Sequence, residues 1–189
     1  MELRYIPFTQ QAYCCVPACF QMIMYKHAIP LLAQEEIAYE LGLTVPDKDA
    51  HLFAKVRTGK KPPAGWGTQI NKPEFSVNKV FAALGIPISM ERLSTKDFKS
   101  PNELGRLLHR IQSRDGDALL CFDYGKLWGL DYKGGHVCVF NSVNGAEVTI
   151  VDPERNVPKL RTTTLDRLHE AMDFHGDHNS TGVWSLNLN

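Results

Sequence analysis

Cys15 is the residue whose type and position carry the clearest potential for chemistry. It precedes Val16-Pro17-Ala18 and an apolar segment that runs to about Lys26, which predicts a helix beginning at Cys15 with its proline in the first turn. Unpaired N–H groups and the helix dipole at such an N-terminus favour a thiolate, the nucleophilic form of cysteine. The same pattern suits a small buried cysteine at the start of a core helix. The segment alone therefore leaves both interpretations open.

A cysteine nucleophile needs a base and a group that orients that base. His136 follows Gly134-Gly135 at the start of an apolar strand, and Asp152 closes the next strand ahead of Pro153. Taken singly, each is more often structural, as a strand-end histidine or an Asp-Pro turn. Together with Cys15 they supply the three residue types of a cysteine-nucleophile triad.

The elements that must position these residues divide into a helical first part and a strand-rich second part. The patterns predict helices at 15–26, 34–41, 77–84, 101–111 and 165–172, and strands at 118–122, 137–143, 147–151 and 183–186. Helices come first and antiparallel strands second, which predicts an α+β fold. The length suits one domain over residues 1–189.

The hairpin at Asn144-Gly145 decides whether a triad can form. A two-residue turn there would put His136 and Asp152 on opposite faces of the sheet, because side chains alternate along a strand. A three-residue loop over 143–145 would place His136 directly opposite Asp152 on one face. The catalytic interpretation thus requires the three-residue loop, or another connection of the same parity.

In their order and spacing, these segments resemble the papain-like cysteine peptidases. The matching motifs are Cys15-Val16-Pro17-Ala18 opening a helix, Gly135-His136 opening a strand, and Asp152-Pro153. The similarity is closest to the family that removes double-glycine leaders from bacteriocin precursors, and to its stand-alone bacterial relatives. It implies an α+β papain-like fold in which a helical part carrying the cysteine packs on a sheet carrying the histidine and the aspartate.

The resemblance also implies an oxyanion hole made by the Cys15 backbone N–H and an upstream glutamine side chain. The family's glutamine lies six positions before the cysteine, where this chain has Thr9. Gln10 is therefore the candidate donor and Gln11 the reserve. A second departure is Val16, which replaces the glycine that usually follows the nucleophile in the family.

The implied mechanism is acyl transfer through a covalent intermediate. The Cys15 thiolate attacks an acyl carbon, His136 holds the proton, and Asp152 fixes the imidazole tautomer. A peptide or protein is the expected substrate, and no metal or cofactor is needed. Two alternatives stay open: an acyltransferase, amide-transferring or deamidating enzyme with the same triad, and a non-catalytic peptide-binding relative.

A long polar stretch, residues 43–75, shows little periodicity. Loops of this length inside a domain are usually functional. We expect it to border the active-site cleft, with Trp66, which stands between Gly65 and Gly67, as a wall or lid residue.

Composition excludes other classes of partner. The chain has 21 Lys plus Arg and 21 Asp plus Glu, so no net charge attracts nucleic acid or anionic membrane. Neither a signal-peptide apolar region nor a run long enough to span a membrane is visible, so a cytoplasmic location is expected.

Five cysteines, three of them within residues 14–19, are not a disulfide framework and suit a reducing compartment. The histidines and aspartates between positions 169 and 178 are better explained as solvated loop residues than as metal ligands.

Overall fold

A six-stranded antiparallel sheet forms the scaffold of the protein, whose computed structural model describes residues 3–53 and 61–189. Its strands lie in the order β1-β6-β2-β3-β4-β5. They are β1 (Ile88–Leu93), β2 (Asp117–Asp123), β3 (Gly135–Asn144), β4 (Glu147–Val151), β5 (Leu160–Thr164) and β6 (Gly182–Leu188).

Helices cover both faces of this sheet. They are α1 (Cys15–Lys26), α2 (Gln34–Glu40), α3 (Val77–Leu84), α4 (Pro101–Ser113), α5 (Tyr124–Trp128) and α6 (Leu165–His175), with short 3₁₀ helices at Asp47–Leu52, Pro73–Phe75 and Asp177–Asn179. The predicted α+β class is confirmed. None of the helices in the described ranges is long and apolar enough to cross a membrane.

Two buried clusters result from the alternation of side chains along the central strands. Val137 and Val139 of β3 belong to the cluster formed with α1, α2 and α3. Cys138 and Phe140, which point the other way, belong to the cluster formed with α4 and α6. Because both faces are covered, the central strands are apolar at nearly every position, as a strand buried on both sides requires.

The connection between β3 and β4 differs from the expected loop. Asn144 pairs with Glu147, so the turn contains two residues, Gly145 and Ala146. Gly145 has φ +56°, which suits the first central position of a type II′ turn. The expected three-residue loop over 143–145 is wrong, and so is the two-residue turn at Asn144-Gly145.

A β-bulge nevertheless restores the parity that a triad needs. Phe140 pairs with Ile150 but Ser142 pairs with Thr149, so Asn141 is an extra residue in β3. Continuing the register beyond Val139 and Val151 places Asp152 beside Cys138 rather than His136. His136 and Asp152 are thus diagonal neighbours on one face of the sheet. The expectation that they lie directly opposite each other is wrong.

Two isolated β-bridges link the start of the 43–75 stretch to a later part of it. Thr44 forms a β-bridge with Gly67, and Val45 forms one with Ala64. Residues 54–60 of this stretch lie outside the described residues.

Candidate active site

Cys15 is the first residue of α1 and the most accessible of the five cysteines. Its side chain is half-buried, whereas Cys14, Cys19, Cys121 and Cys138 are buried. Burial raises the pKa of the Cys14 thiol to about 12 and also raises the pKa of the three other buried thiols. Those four cysteines therefore stay protonated and unreactive at neutral pH.

His136 lies second in β3 and is buried between an acid and a thiol. Its Nε2 is 2.8 Å from Asp152 Oδ1, and the side chain of Cys15 interacts with the ring and favours its protonated form. Because Nε2 faces the carboxylate, Nδ1 is the nitrogen left for the cysteine. Burial acts to lower the pKa of His136, but the interactions with Asp152 and Cys15 outweigh it and raise that pKa to about 9.

Aromatic rings hold the imidazole on its remaining sides. The ring of Tyr124 meets that of His136 edge to face with centroids 4.8 Å apart, and Phe122 does so at 6.2 Å. Phe122 is the β2 residue that pairs with His136 across the sheet. These contacts exclude water from the ring and limit its rotation.

Asp152 is fully buried and accepts hydrogen bonds on both oxygens. Oδ1 accepts from His136 Nε2 and from the backbone N–H of Glu154 at 2.9 Å, while Oδ2 accepts from Arg161 Nη1 at 3.0 Å. Burial alone would raise the pKa of this carboxyl group, but these donors outweigh burial and lower it. Asp152 is therefore held as an anion with a fixed orientation.

Arg161, on β5, is a site residue that sequence reasoning missed. Its Nη1 also donates to the hydroxyl of Tyr124 at 2.7 Å, and its guanidinium lies 3.4 Å from the ring centroid of Trp128. The segment Leu160–Thr164 is polar and gave no strand signal, so nothing in the sequence pointed to its pairing with β4.

The two upstream glutamines both line the cleft, but with different contacts. Gln10 is buried, and its Nε2 donates to Glu154 Oε2 at 2.8 Å. The backbone N–H of Gln11 donates to Gln34 Oε1 at 2.7 Å. The Oε1 atoms of Gln10 and Gln11 are buried without a hydrogen-bond partner.

Gln34, on α2, fixes the chain that carries these glutamines. Besides accepting from Gln11, it donates to the carbonyl oxygen of Thr9 at 3.0 Å and to Gln21 Oε1 at 2.9 Å. Thr9, which lies six positions before Cys15, is exposed. The structure thus aims Gln10 and Gln11, not Thr9, at the cleft.

An open cleft of about 1120 Å³ runs past Cys15 and His136. Trp66 lines it, is 67% exposed, and packs edge to face on Tyr13 with centroids 5.6 Å apart. Tyr13 in turn donates from its hydroxyl to Asp49 Oδ2 at 2.5 Å. The described part of the 43–75 stretch therefore forms one wall of the cleft.

The opposite wall is anchored to the start of β3. Asp123 accepts from the backbone N–H of Lys126, at the start of α5, and from that of Gly134. A Cβ on Gly135 would lie 2.6 Å from the ring of His175, so only glycine fits there without displacing that ring. This close packing explains the glycine directly before His136.

One group of potential metal ligands overlaps the site. Across residues 3–53 and 61–189, one group offers three potential ligand atoms within 4.8 Å of one another: His136, Cys138 and Asp152. The 2.8 Å between His136 Nε2 and Asp152 Oδ1 is a hydrogen-bond distance. Tetrahedral zinc, about 2.0–2.2 Å from each such ligand, would hold them farther apart.

Comparison with known proteins supports the fold. No family model matches the chain, and no curated protein matches it by sequence. One solved structure that does match is a Bacillus anthracis protein provisionally named a C39-like peptidase, with 13% identity, a TM-score of 0.57, and coverage of 100% of this chain and 99% of that chain. The chain has the papain-like fold of that protein. Closeness to the double-glycine-leader family stays a prediction.

Proposed function

We propose that the protein is a cysteine peptidase that cleaves peptide bonds through an acyl-enzyme intermediate. The observation that carries this proposal is the position of His136, which lines an open cleft together with Cys15, is hydrogen bonded to Asp152, and has its pKa raised by both groups. This is the arrangement that a nucleophile, a base and an orienting acid require.

Each of the three residues has a distinct role in this mechanism. The Cys15 thiolate attacks the carbonyl carbon of the scissile bond, and the imidazolium of His136 then protonates the leaving amine. Asp152 holds Nε2–H, so that Nδ1 remains directed at the thiol and the leaving group. Water, activated by the now neutral His136, hydrolyses the thioester and regenerates the thiolate.

Gln10 is the proposed oxyanion donor, together with the backbone N–H of Cys15. Its Nε2 carries two hydrogens, of which one is directed at Glu154, and the other remains available for the substrate oxygen. Gln11 lies in the same cleft and stays the reserve donor.

The cleft suits an extended peptide rather than a small molecule. It is open to solvent, and large apolar side chains that are more than half exposed line it. They are Leu52, Trp66, Leu130, Tyr132 and Phe174. Exposed apolar groups around a polar reaction centre are typical of surfaces that bind a partner chain.

The decisive experiment is incubation of the protein with a mixed peptide library, read by mass spectrometry for new termini. A Cys15→Ala variant is the matched control. New N-termini, each with a complementary fragment that ends in a free carboxylate, support hydrolysis when they appear with the wild type and not with the variant.

The rival chemistries give different products in the same experiment. With a primary amine added, an amide of that amine at the new C-terminus of the cleaved peptide, in place of the free carboxylate, would indicate acyl transfer instead of hydrolysis. An amide adduct or a deamidation at a glutamine side chain, with the backbone intact, would indicate an amide-transferring or deamidating enzyme. An unmodified library, together with a Cys15 that iodoacetamide does not label at neutral pH, would favour a binding protein over an enzyme.

A further inference from the structure

Arg161 joins the two groups that hold the imidazole of His136. One guanidinium nitrogen, Nη1, donates both to Asp152 Oδ2 at 3.0 Å and to the Tyr124 hydroxyl at 2.7 Å. Asp152 binds the imidazole edge, and the ring of Tyr124 packs against its face. A displacement of Arg161 would therefore affect the imidazole of His136 both through Asp152 and through Tyr124.

The environment of Arg161 keeps its charge in place. Its side chain is 18% exposed and stacks on Trp128 at 3.4 Å from the ring centroid. Such stacking orients a guanidinium and limits its rotamers. Asp152 is completely buried, and a buried carboxylate without a cation would be costly. The pair thus places a positive charge directly behind the acid that faces His136.

We propose that Arg161 is a positioning residue for the Cys15–His136 pair: it holds the Asp152 carboxylate, partly neutralises its charge, and so sets the upper pH limit of the imidazolium form. This inference rests on the proposed function, since it assigns a role within the same triad. Without Arg161, the full charge of Asp152 would act on His136 and hold its proton to higher pH.

The other titratable groups around His136 do not supply this charge. Burial raises the pKa of Tyr124 to about 12 and also raises that of the Cys138 and Cys19 thiols, so all three stay neutral at physiological pH.

Two further cations belong to the loop after Asp152, and both are bound elsewhere. Arg155 donates to the carbonyl oxygen of Gln10, and Lys159 donates to those of Pro153 and Glu154. Besides the imidazolium of His136 itself, Arg161 is the cation in contact with the carboxylate of Asp152 among the described residues.

The test is the titration of His136 followed by NMR in protein with ¹⁵N-labelled histidine side chains. The signal is assigned by its loss in a His136→Gln variant. Arg161→Gln removes the charge and keeps a hydrogen-bond donor, so the pKa of His136 should rise by about 0.5–1 unit. Arg161→Lys keeps the charge, so that pKa should stay within about 0.2 unit of the wild-type value.

Arg167→Gln is the matched control. Arg167 donates to the carbonyl oxygen of Leu127 at 2.9 Å, so this variant also loses an arginine contact near α5 without touching Asp152. Its His136 should titrate as in the wild type.

An unchanged or lowered His136 pKa in Arg161→Gln overturns the proposal. Should that variant fail to fold, Arg161→Lys decides alone, because a displacement of half a unit or more despite the retained charge would contradict control by charge. The measurement needs no turnover. If the His136 pKa rises in Arg161→Gln as expected but the protein cleaves no peptide, the proposed peptidase function is wrong and the positioning role of Arg161 stands.

Discussion

His136 and Asp152 share one face of the sheet because Asn141 is an extra residue in β3. The two-residue turn at Gly145-Ala146 and an unbroken ladder would have put them on opposite faces, and the bulge reverses this. Asn141 is fully buried, and its Oδ1 accepts from the backbone N–H of Arg4 at 3.1 Å. The N-terminal segment thus fixes the bulge that allows the acid to reach the base.

Gly145 should matter for stability but not for the site. Its φ of +56° is strained for a residue with a Cβ, although no atom lies within 4 Å of where that Cβ would stand. Gly145→Ala should therefore lower the free energy of unfolding by about 1–2 kcal/mol through the backbone alone. Denaturant unfolding measures this, with Ala146→Ser as the control in the same turn. Equal stability of the two variants would contradict the turn geometry.

The sequence predicted the elements with strong apolar patterns, and these include the ones that carry the proposed triad. The bounds of α1 and β4 agree with the predicted ones, and Thr164 caps α6, since its side chain accepts from the N–H of Arg167. A helix entry, an apolar strand and a cap are local features, so the sequence contains the information for them.

The missed features depend on tertiary contacts. The polar strand β5 forms only because β4 offers an edge to pair with, and β5 carries Arg161 to Asp152. The five-residue helix α5 is too short to show a period. The bulge at Asn141 depends on a contact with the distant Arg4. None of these features leaves a periodic signal in the sequence. The residues that support the triad, such as Arg161, therefore could not be predicted.

Cys15 should be the cysteine that reacts first with an alkylating agent. It is half-buried in the cleft and interacts with His136, while Cys14 is buried with a thiol pKa of about 12. Substoichiometric iodoacetamide at pH 7, followed by peptide mapping, should find the label on Cys15. Cys14→Ser should leave the rate unchanged and Cys15→Ser should abolish fast labelling. Label found mainly on Cys14 or Cys19 would overturn the assignment.

The charge on His136 predicts a pH-dependent preference between two reagents. Its pKa is raised to about 9, so the imidazolium persists below that pH and is lost as the pH rises through it. A cation beside the thiol attracts anionic iodoacetate but not neutral iodoacetamide. The rate of Cys15 alkylation by iodoacetate, divided by the rate with iodoacetamide, should therefore fall several-fold as the pH rises through about 9.

Asp152→Asn supplies the comparison for that ratio. Loss of the carboxylate removes a charge that favours the imidazolium form of His136. The fall of the rate ratio should therefore occur at a pH lower by about one unit or more. A ratio that does not change between pH 7 and 10 in the wild type, or a fall at the same pH in both proteins, would contradict the His136–Asp152 coupling.

The oxyanion assignment predicts unequal effects for the two glutamines. Gln10→Ala should lower kcat by about 100-fold or more, because a donor to the developing oxyanion is lost. Gln11→Ala should stay within about threefold of the wild type. Single-turnover cleavage of a peptide found in the library experiment measures both. A larger loss of kcat in Gln11→Ala than in Gln10→Ala would make Gln11 the oxyanion donor. Small losses in both variants would leave the backbone N–H of Cys15 as the main oxyanion donor.

Trp66 should affect substrate binding more than chemistry. It is 67% exposed, lines the cleft and rests on Tyr13, but it has no contact with His136 or Asp152 among the interactions described above. Trp66→Ala should therefore raise KM several-fold and leave kcat within about twofold, since it removes apolar contact with the bound peptide. Leu31→Ala, at a 44% exposed apolar residue outside the cleft lining, should change neither constant. A fall in kcat at unchanged KM would instead assign Trp66 to closure of the site over the reacting bond.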